Sequence, residues 1–297
     1  MTIARSVKTR ASALGLRALE EAANRANRDV VRRHFYSPLP DVQDLPDALW
    51  SDPAETPGVD LRLDAAERLL RDDLAPYVRD FGHEASACLI NHPTYGAVDA
   101  ETLYAMVRHA RPLQVVELGS GTSSHIIALA LAKNGSFGEV AEHVIFDPYP
   151  FTASDLGPVE TATVQPLRSE ELSIDDFPPL RPGDVLFIDT THTVKTGGDV
   201  CRIFLNLIPQ LPAGVLVHVH DVFLPFEYPR HWIVDQRRAW AEQYLLQAFL
   251  AFNDAFEVVL PAHALARLRP ISVASVVPTF RTGLTEPGAF WFKRGAE

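Results

Sequence analysis

Cysteine is scarce in this 297-residue chain. Cys88 and Cys201 are too few for a disulfide framework, so a reducing compartment is expected. Long apolar runs are missing too. No stretch approaches the roughly 18 uncharged apolar residues of a membrane-spanning helix, and no membrane partner is expected. The first residues lack the apolar core and small-residue cleavage site of a secretory signal. Glu20 and Glu21 argue against an organellar transit peptide, so a cytoplasmic location is expected. Basic charge is the third shortage: 27 Lys plus Arg stand against 38 Asp plus Glu, a net charge of −11. Binding to a nucleic-acid backbone needs a basic face, so no nucleic-acid partner is expected. Internal repeats and low-complexity tracts are absent as well.

What remains is globular in character, with 47% hydrophobic and 22% charged residues. The length fits one large domain, or one domain with an appended piece. Charge is unevenly spread. Residues 1–34 carry eight Lys/Arg against Glu20, Glu21 and Asp29, a balance of +5, which leaves −16 for the rest.

Apolar spacing predicts a helix over 4–34, with Val7, Ala11, Leu14, Ala18 and Ala22 on one face. A proline-punctuated connector follows (Pro38, Pro40, Pro46, Pro53, Pro57). A second helix is expected from Leu63 to Phe81, kinked near Pro76. A third runs from Asp99, read as its N-cap, to Ala110. Beyond residue 111 the pattern changes to strands alternating with helices. The strands are Leu113–Leu118, His143–Asp147, Thr161–Gln165, Asp184–Asp189, Gly214–Val219, Glu257–Leu260 and Phe290–Lys293. Helices are expected over Thr122–Lys133, Thr196–Ile208 and Ile233–Phe252. This alternation implies an α/β fold with a mostly parallel sheet covered on both faces. The expected organisation is a helical N-terminal extension over 1–110 and an α/β domain over 111–297. Ligands of such sheets sit beyond the C-terminal strand ends.

Those ends carry the candidate chemistry. After the first strand stands Glu117-Leu118-Gly119-Ser120-Gly121-Thr122-Ser123-Ser124, where glycines let a ligand approach the backbone and a helix N-terminus follows. A plain strand-to-helix turn has the same composition. Asp147, at the end of the second strand, is placed to hydrogen-bond a ribose diol. Asp189 ends the fourth strand, and His192 follows in a loop expected to be open to ligand, suited to a general base. Alternation puts His218 and His220 on one strand face. Asp189, His220 and Asp221 would then form an O/N site for a divalent cation, although capping aspartates and core histidines also occur at such positions. Phe223, Phe226, Tyr228 and Trp232 wall a pocket or fill an ordinary buried loop. Asn91-His92-Pro93-Thr94-Tyr95 either folds over the cleft or merely joins two helices. Cys88 and Cys201 read as inert core residues.

ELGSG, FDP, FIDTTH and VHVHDVFLPFEYP, at the ends of the first, second, fourth and fifth strands, resemble a class I S-adenosylmethionine-dependent methyltransferase. The last two segments are similar to a bacterial branch related to metal-dependent sugar and antibiotic O-methyltransferases. The resemblance spans about residues 84–297. It implies a Rossmann-like, seven-stranded, mostly parallel sheet, with Glu117, Gly119, Ser120, Gly121, Ser124 and Asp147 on the cofactor. By the same resemblance Asp189 and His192 are catalytic, with His192 as base, and Asp189, His220 and Asp221 hold a metal. The relatives carry Glu-Asp where this chain has His220-Asp221. The nitrogen donor widens the candidate ions from Mg to Mn, Fe or Zn. The implied reaction is O-methylation of a small molecule such as a sugar, a phenol or another secondary metabolite. Two other classes stay open: a metal-dependent oxidoreductase or hydroxylase on the same fold, and a non-catalytic binding protein. The basic segment 1–34 is a candidate surface for homo-oligomerisation.

Overall fold

The computed structural model describes residues 15–28, 30, 34–37, 39–85, 89–90, 92–135, 140–151 and 156–295. Short runs of β-branched, aromatic and leucine residues become seven strands: β1 (Gln114–Leu118), β2 (Glu142–Phe146), β3 (Thr163–Gln165), β4 (Val185–Ile188), β5 (Leu216–Val219), β6 (Phe256–Pro261) and β7 (Phe290–Arg294). They form one sheet in the order β3-β2-β1-β4-β5-β7-β6. All pairings are parallel except those of β7. The seven-stranded, mostly parallel α/β sheet is therefore as the sequence led us to expect, with strand ends within two residues.

Period-two alternation sorts the core onto the two faces. Val115, Val185, Phe187 and Trp291 face one cluster, completed by α1 (Leu63–Arg68), α2 (Ala75–Glu84), α3 (Asp99–Ala110) and α4 (Thr122–Gly135). Val116, Leu186, Val217 and Phe292 face the other, completed by α5 (Asp199–Arg202), the wider turns Ile203–Leu207 that continue it, and a helix beginning at Glu242. α1 and α2 are joined by widened turns over Leu69–Leu74. Pro76 lacks an N–H and cannot complete a regular helical ladder there, which accounts for the interruption.

Three helical expectations need correction. The stretch Ile233–Phe252 is two helices, α6 (Arg230–Val234) and α7 (Glu242–Leu250), separated by a turn in which Arg237 takes φ 57. α8 (Ala262–Leu268) and α9 (Pro270–Val276) fill a stretch that showed no helical signal, and they complete the first core cluster through Leu265 and Val273. The N-terminal helix spans 15–25 among the described residues and stops short of 34. Asn27 takes φ 52 there, and the N–H groups of Asn27 and Arg28 turn back to the carbonyls of Asn24 and Ala23. Residues 4–14, 29 and 31–33 of that expected helix lie outside the described residues, as does Cys88.

The chain divides into two compact units, 1–46 and 47–297, so helices α1–α3 share a unit with the sheet. Among the described residues no helix is long and apolar enough to cross a membrane. The strand order reverses between β1 and β4, whose last residues Leu118 and Ile188 are register partners. A crevice opens at such a reversal.

Candidate functional site

Gly119 directly follows β1 and Asp189 directly follows β4, so the register of Leu118 with Ile188 brings the two together. Gly119 has φ 90, and the Asp189 carbonyl fills the space a side chain would need. Gly121 is different. A β-carbon there would meet nothing within 4 Å, so this part of the turn faces open space. The turn and Asp189 line a cavity of about 90 Å³ with Thr94, Tyr95, Thr122 and Ser123. That is room for several waters or one small polar group.

The segment His92–Tyr95 does fold over this cleft. His92 Nδ1 lies 3.0 Å from Thr122 Oγ1, at the start of α4, and Thr94 Oγ1 lies 3.3 Å from the same hydroxyl. Tyr95 reaches further in. Its hydroxyl is 3.1 Å from His218 Nε2, and its ring stacks on His220 at 4.5 Å.

The other turn residues divide into two layers. Glu117 is fully buried, with one carboxylate oxygen accepting from Ser123 and Ser124 at 2.7 and 3.0 Å. Its other oxygen lies 2.7 Å from His143 Nε2. Ser124 also accepts the Gly121 N–H. Glu117 and Ser124 therefore brace the turn from behind and do not line the cavity. Asp147 is half-buried and accepts both the N–H and the hydroxyl of Ser120, at 2.9 and 2.6 Å. Its second oxygen accepts the Tyr149 N–H.

Asp189 also belongs to a second group. His192 Nε2 is 3.2 Å from Asp189 Oδ1 and 3.6 Å from Asp221 Oδ2. His220 Nδ1 is 3.3 Å from Asp189 Oδ2 and 3.7 Å from Asp221 Oδ1. Each imidazole is held from behind by a buried carboxylate: His192 Nδ1 by Glu242 at 2.8 Å, and His220 Nε2 by Asp99 at 3.4 Å. The expected exposure of His192 needs correction, because its side chain is only 6% exposed against 29% for Asp189. Trp240 covers its ring at 4.2 Å, and its carbonyl accepts the N–H groups of Ala241 and Glu242. His192 and Asp221 both sit at positive φ, 56 and 58, and Gly288 packs directly on the Asp221 backbone. Strained backbone of this kind collects at functional sites.

Charge follows the geometry. Desolvation would raise the Asp189 carboxyl, but His220 and His192 hold it far below the usual carboxylate range. Burial pushes the Asp221 carboxyl up, against the pull of both histidines. Burial disfavours a charged His192, yet the hydrogen bonds it donates to Asp189 and Glu242, and their charges, raise it to about 10. The same contest, won by Asp221 and Asp189, raises His220. Two carboxyls thus face two imidazoles whose charged forms they favour.

The residues present fit a divalent cation. Asp189, His220 and Asp221 each offer a ligand atom within 4.8 Å of the others. The Asp99 contact at Nε2 turns His220 Nδ1 toward the carboxylates, the arrangement in which a ligating imidazole is backed by a carboxylate.

Three residues support the site in ways that the sequence did not reveal. Asp99 carried the signal of a helix cap, yet its oxygens accept the Gly288 and Ala289 N–H groups at 2.9 Å and reach His220. Val98 stands at the cap position instead, its N–H donating to Glu101. Glu242 was placed inside a continuous helix, and Tyr95 was named only as part of the segment that could cover the cleft, with no sign of its contacts to His218 and His220. Among the expected pocket walls, Phe223, Phe226 and Tyr228 are buried, and Trp232 is half-buried. Cys201 is half-buried, its thiol 3.4 Å from the Lys195 carbonyl, rather than a core residue.

Comparison with known proteins gives one family match and several remote likenesses. Residues 116–222 match a family model described as a methyltransferase domain, which bears out the resemblance to class I methyltransferases. An uncharacterised protein of Archaeoglobus fulgidus is 27% identical over 128 residues, which span 39% of this chain and 57% of that protein. Among solved structures, the SAH-bound methyltransferase PaMTH1 of Podospora anserina is 15% identical (TM-score 0.43; 76% of this chain, 88% of that one). The O-methyltransferase TomG of Streptomyces achromogenes, in complex with SAM, is 15% identical (TM-score 0.41; 76% and 90%). A putative methyltransferase of Thermobifida fusca is 16% identical (TM-score 0.41; 85% and 98%).

Proposed function

Taking residues 116–222 as the methyltransferase domain that they match, we propose that the chain transfers a methyl group from S-adenosylmethionine to a hydroxyl of a small molecule. The observation that carries this reading is the position of Asp189, which lines the glycine-turn cavity and touches both His192 and His220. One residue thereby joins the glycine turn to an acid–base cluster.

In this reading Gly119, Ser120 and Gly121 back the amino-acid end of the cofactor. Asp147 binds the ribose through lone pairs that Ser120 and Tyr149 leave free. Glu117 and Ser124 set the shape of the turn from beneath. Bound there, the cofactor supplies an activated methyl group, so alignment and proton removal are what the chain must contribute.

Asp189, His220 and Asp221 are the residues that would hold a divalent cation, which would supply Lewis acidity to the acceptor hydroxyl. His192 acts in this reading from its neutral form, once the proton that Asp189 and Glu242 favour has left. Its Nε2 then takes the hydroxyl proton, while Glu242 at Nδ1 fixes the tautomer and the ring orientation. The acceptor oxygen forms the new bond to carbon, the carbon–sulfur bond breaks, and the thioether leaves neutral.

Calorimetric titration of the full chain with S-adenosylmethionine and with its demethylated product tests this. Both should bind, and H192A should lose turnover while keeping that binding. Absence of binding of either compound, with and without added divalent metal, overturns the reading.

A further inference from the structure

The break between α6 and α7 creates an arrangement that the proposed reaction has not used. Arg238 sits in a corner formed by two indoles, its Cζ 4.3 Å from the ring centre of Trp232 and 4.3 Å from that of Trp240. The indoles meet edge to face at 73°, with centres 5.0 Å apart. Arg238 Nε donates to Gln236 Oε1 at 2.7 Å. Its two terminal nitrogens have no acceptor among the described residues, and Arg238 forms no ion pair there. By contrast Arg62, Arg108 and Arg269, also partly withdrawn from solvent, each reach a carboxylate.

Trp240 links this corner to the reaction centre, because the ring that carries Arg238 also lies 4.2 Å from the His192 ring. A single side chain therefore separates the guanidinium from the proposed base. We propose that Arg238 is an acceptor-binding residue, and that the acceptor carries a carboxylate in addition to the hydroxyl that is methylated. This rests on the methyl-transfer reading above.

The physical case has three parts. The indole faces fix the plane of the guanidinium without neutralising it, so its outer fork stays available. A planar fork of N–H donors matches a carboxylate in two parallel hydrogen bonds. An anionic acceptor near Asp189, Asp221 and Glu242 would meet repulsion, which a fixed cation at the edge of the cluster offsets.

The test uses the full chain and follows tryptophan fluorescence during titration with 3,4-dihydroxybenzoate and with 3,4-dihydroxybenzamide. The two probes differ only in the charge of one group. The acid should quench saturably and bind more tightly than the amide, on the order of 10- to 100-fold. R238Q should bring the acid down to the affinity of the amide and leave the amide unchanged, and R238K should recover part of the preference. Equal affinity for the two probes, no saturable binding of the acid, or a preference that survives in R238Q overturns the proposal. Calorimetry with the demethylated cofactor product runs in parallel. A lost preference with cofactor binding intact removes the subsite alone. A carboxylate preference without cofactor binding keeps the subsite and removes the methyl-transfer reading.

Discussion

A β-carbon on Gly119 would fall 1.9 Å from the carbonyl oxygen of Asp189. The backbone turn after β1 and the first residue after β4 are therefore in direct contact, and the two halves of the candidate site are set by one packing relationship. G119A would need both a left-handed alanine and a displaced strand end. We expect a loss of about 3 kcal/mol or more of stability, read as a lower melting temperature, together with loss of cofactor binding. A melting temperature within a degree or so of the parent would show that the contact has no structural weight.

Asp99 couples α3 to the site through one carboxylate shared between two backbone N–H groups and His220. D99A leaves those donors buried without an acceptor, at a cost of about 1–3 kcal/mol. Because Asp99 orients His220, the affinity for Mn²⁺ should also drop, by roughly 10- to 100-fold. Calorimetric Mn²⁺ titration of D99A and D99N checks this, and unchanged affinity in both would remove Asp99 from the site.

Glu242 holds His192 from the side away from the carboxylates. E242Q keeps the size and hydrogen-bonding reach of the side chain but not its charge, so it separates structure from orientation and charge. Turnover should fall by about 10²-fold or more, with cofactor affinity unchanged and the pH–rate profile displaced. A parent-like profile would assign Glu242 a purely structural part.

Burial and the nearby Arg267 lower His263 to about 4, although the Pro287 carbonyl, 3.1 Å from Nδ1, favours its charged form. The folded value lies below that of the unfolded chain, so the folded protein binds this proton more weakly. The neutral side chain is therefore fully accommodated above pH 6.5 or so. Stability drains as the pH falls from there toward 4, by up to about 3 kcal/mol. Urea unfolding at a series of pH values should show this slope in the parent and a shallower one in H263L.

Cation binding gives a fifth handle. Asp189 and Asp221 carry like charges close together, so a divalent ion should raise the melting temperature and a chelator should reverse the rise. The nitrogen of His220 should make Mn²⁺ or Zn²⁺ more effective than Mg²⁺. H220A should reduce that selectivity. An equal response to all three ions in the parent would count against His220 as a ligand.

The sheet was legible in the amino-acid order because each strand is a short apolar run bounded by turn residues. The same register of strand and turn marked Gly119, Asp147, Asp189 and Asp221 as strand-end residues. What a strand end does is a local property, and local patterns report it. The helices were less legible. Arg237 at φ 57 interrupts an apolar pattern that reads as one helix, and the stacking of Trp232, Arg238 and Trp240 that accompanies the break involves residues whose spacing carries no helical signal.

Only tertiary structure decided which side chains face the cleft and which lie behind it. Glu117 and Ser124 belong to the turn motif yet point into the interior, where His143 and Ser123 complete the same network. Asp99, Tyr95 and Glu242 support the site from remote elements: Asp99 stands 121 residues before His220, and Tyr95 stands 123 before His218. The burial of His192 has the same origin: the roof above it, Trp240 and Glu242, arrives from a distant loop and helix. Residue order determined the kinds of group available at each strand end. Packing between remote segments determined their exposure and their protonation, because both depend on neighbours that no local stretch of sequence contains.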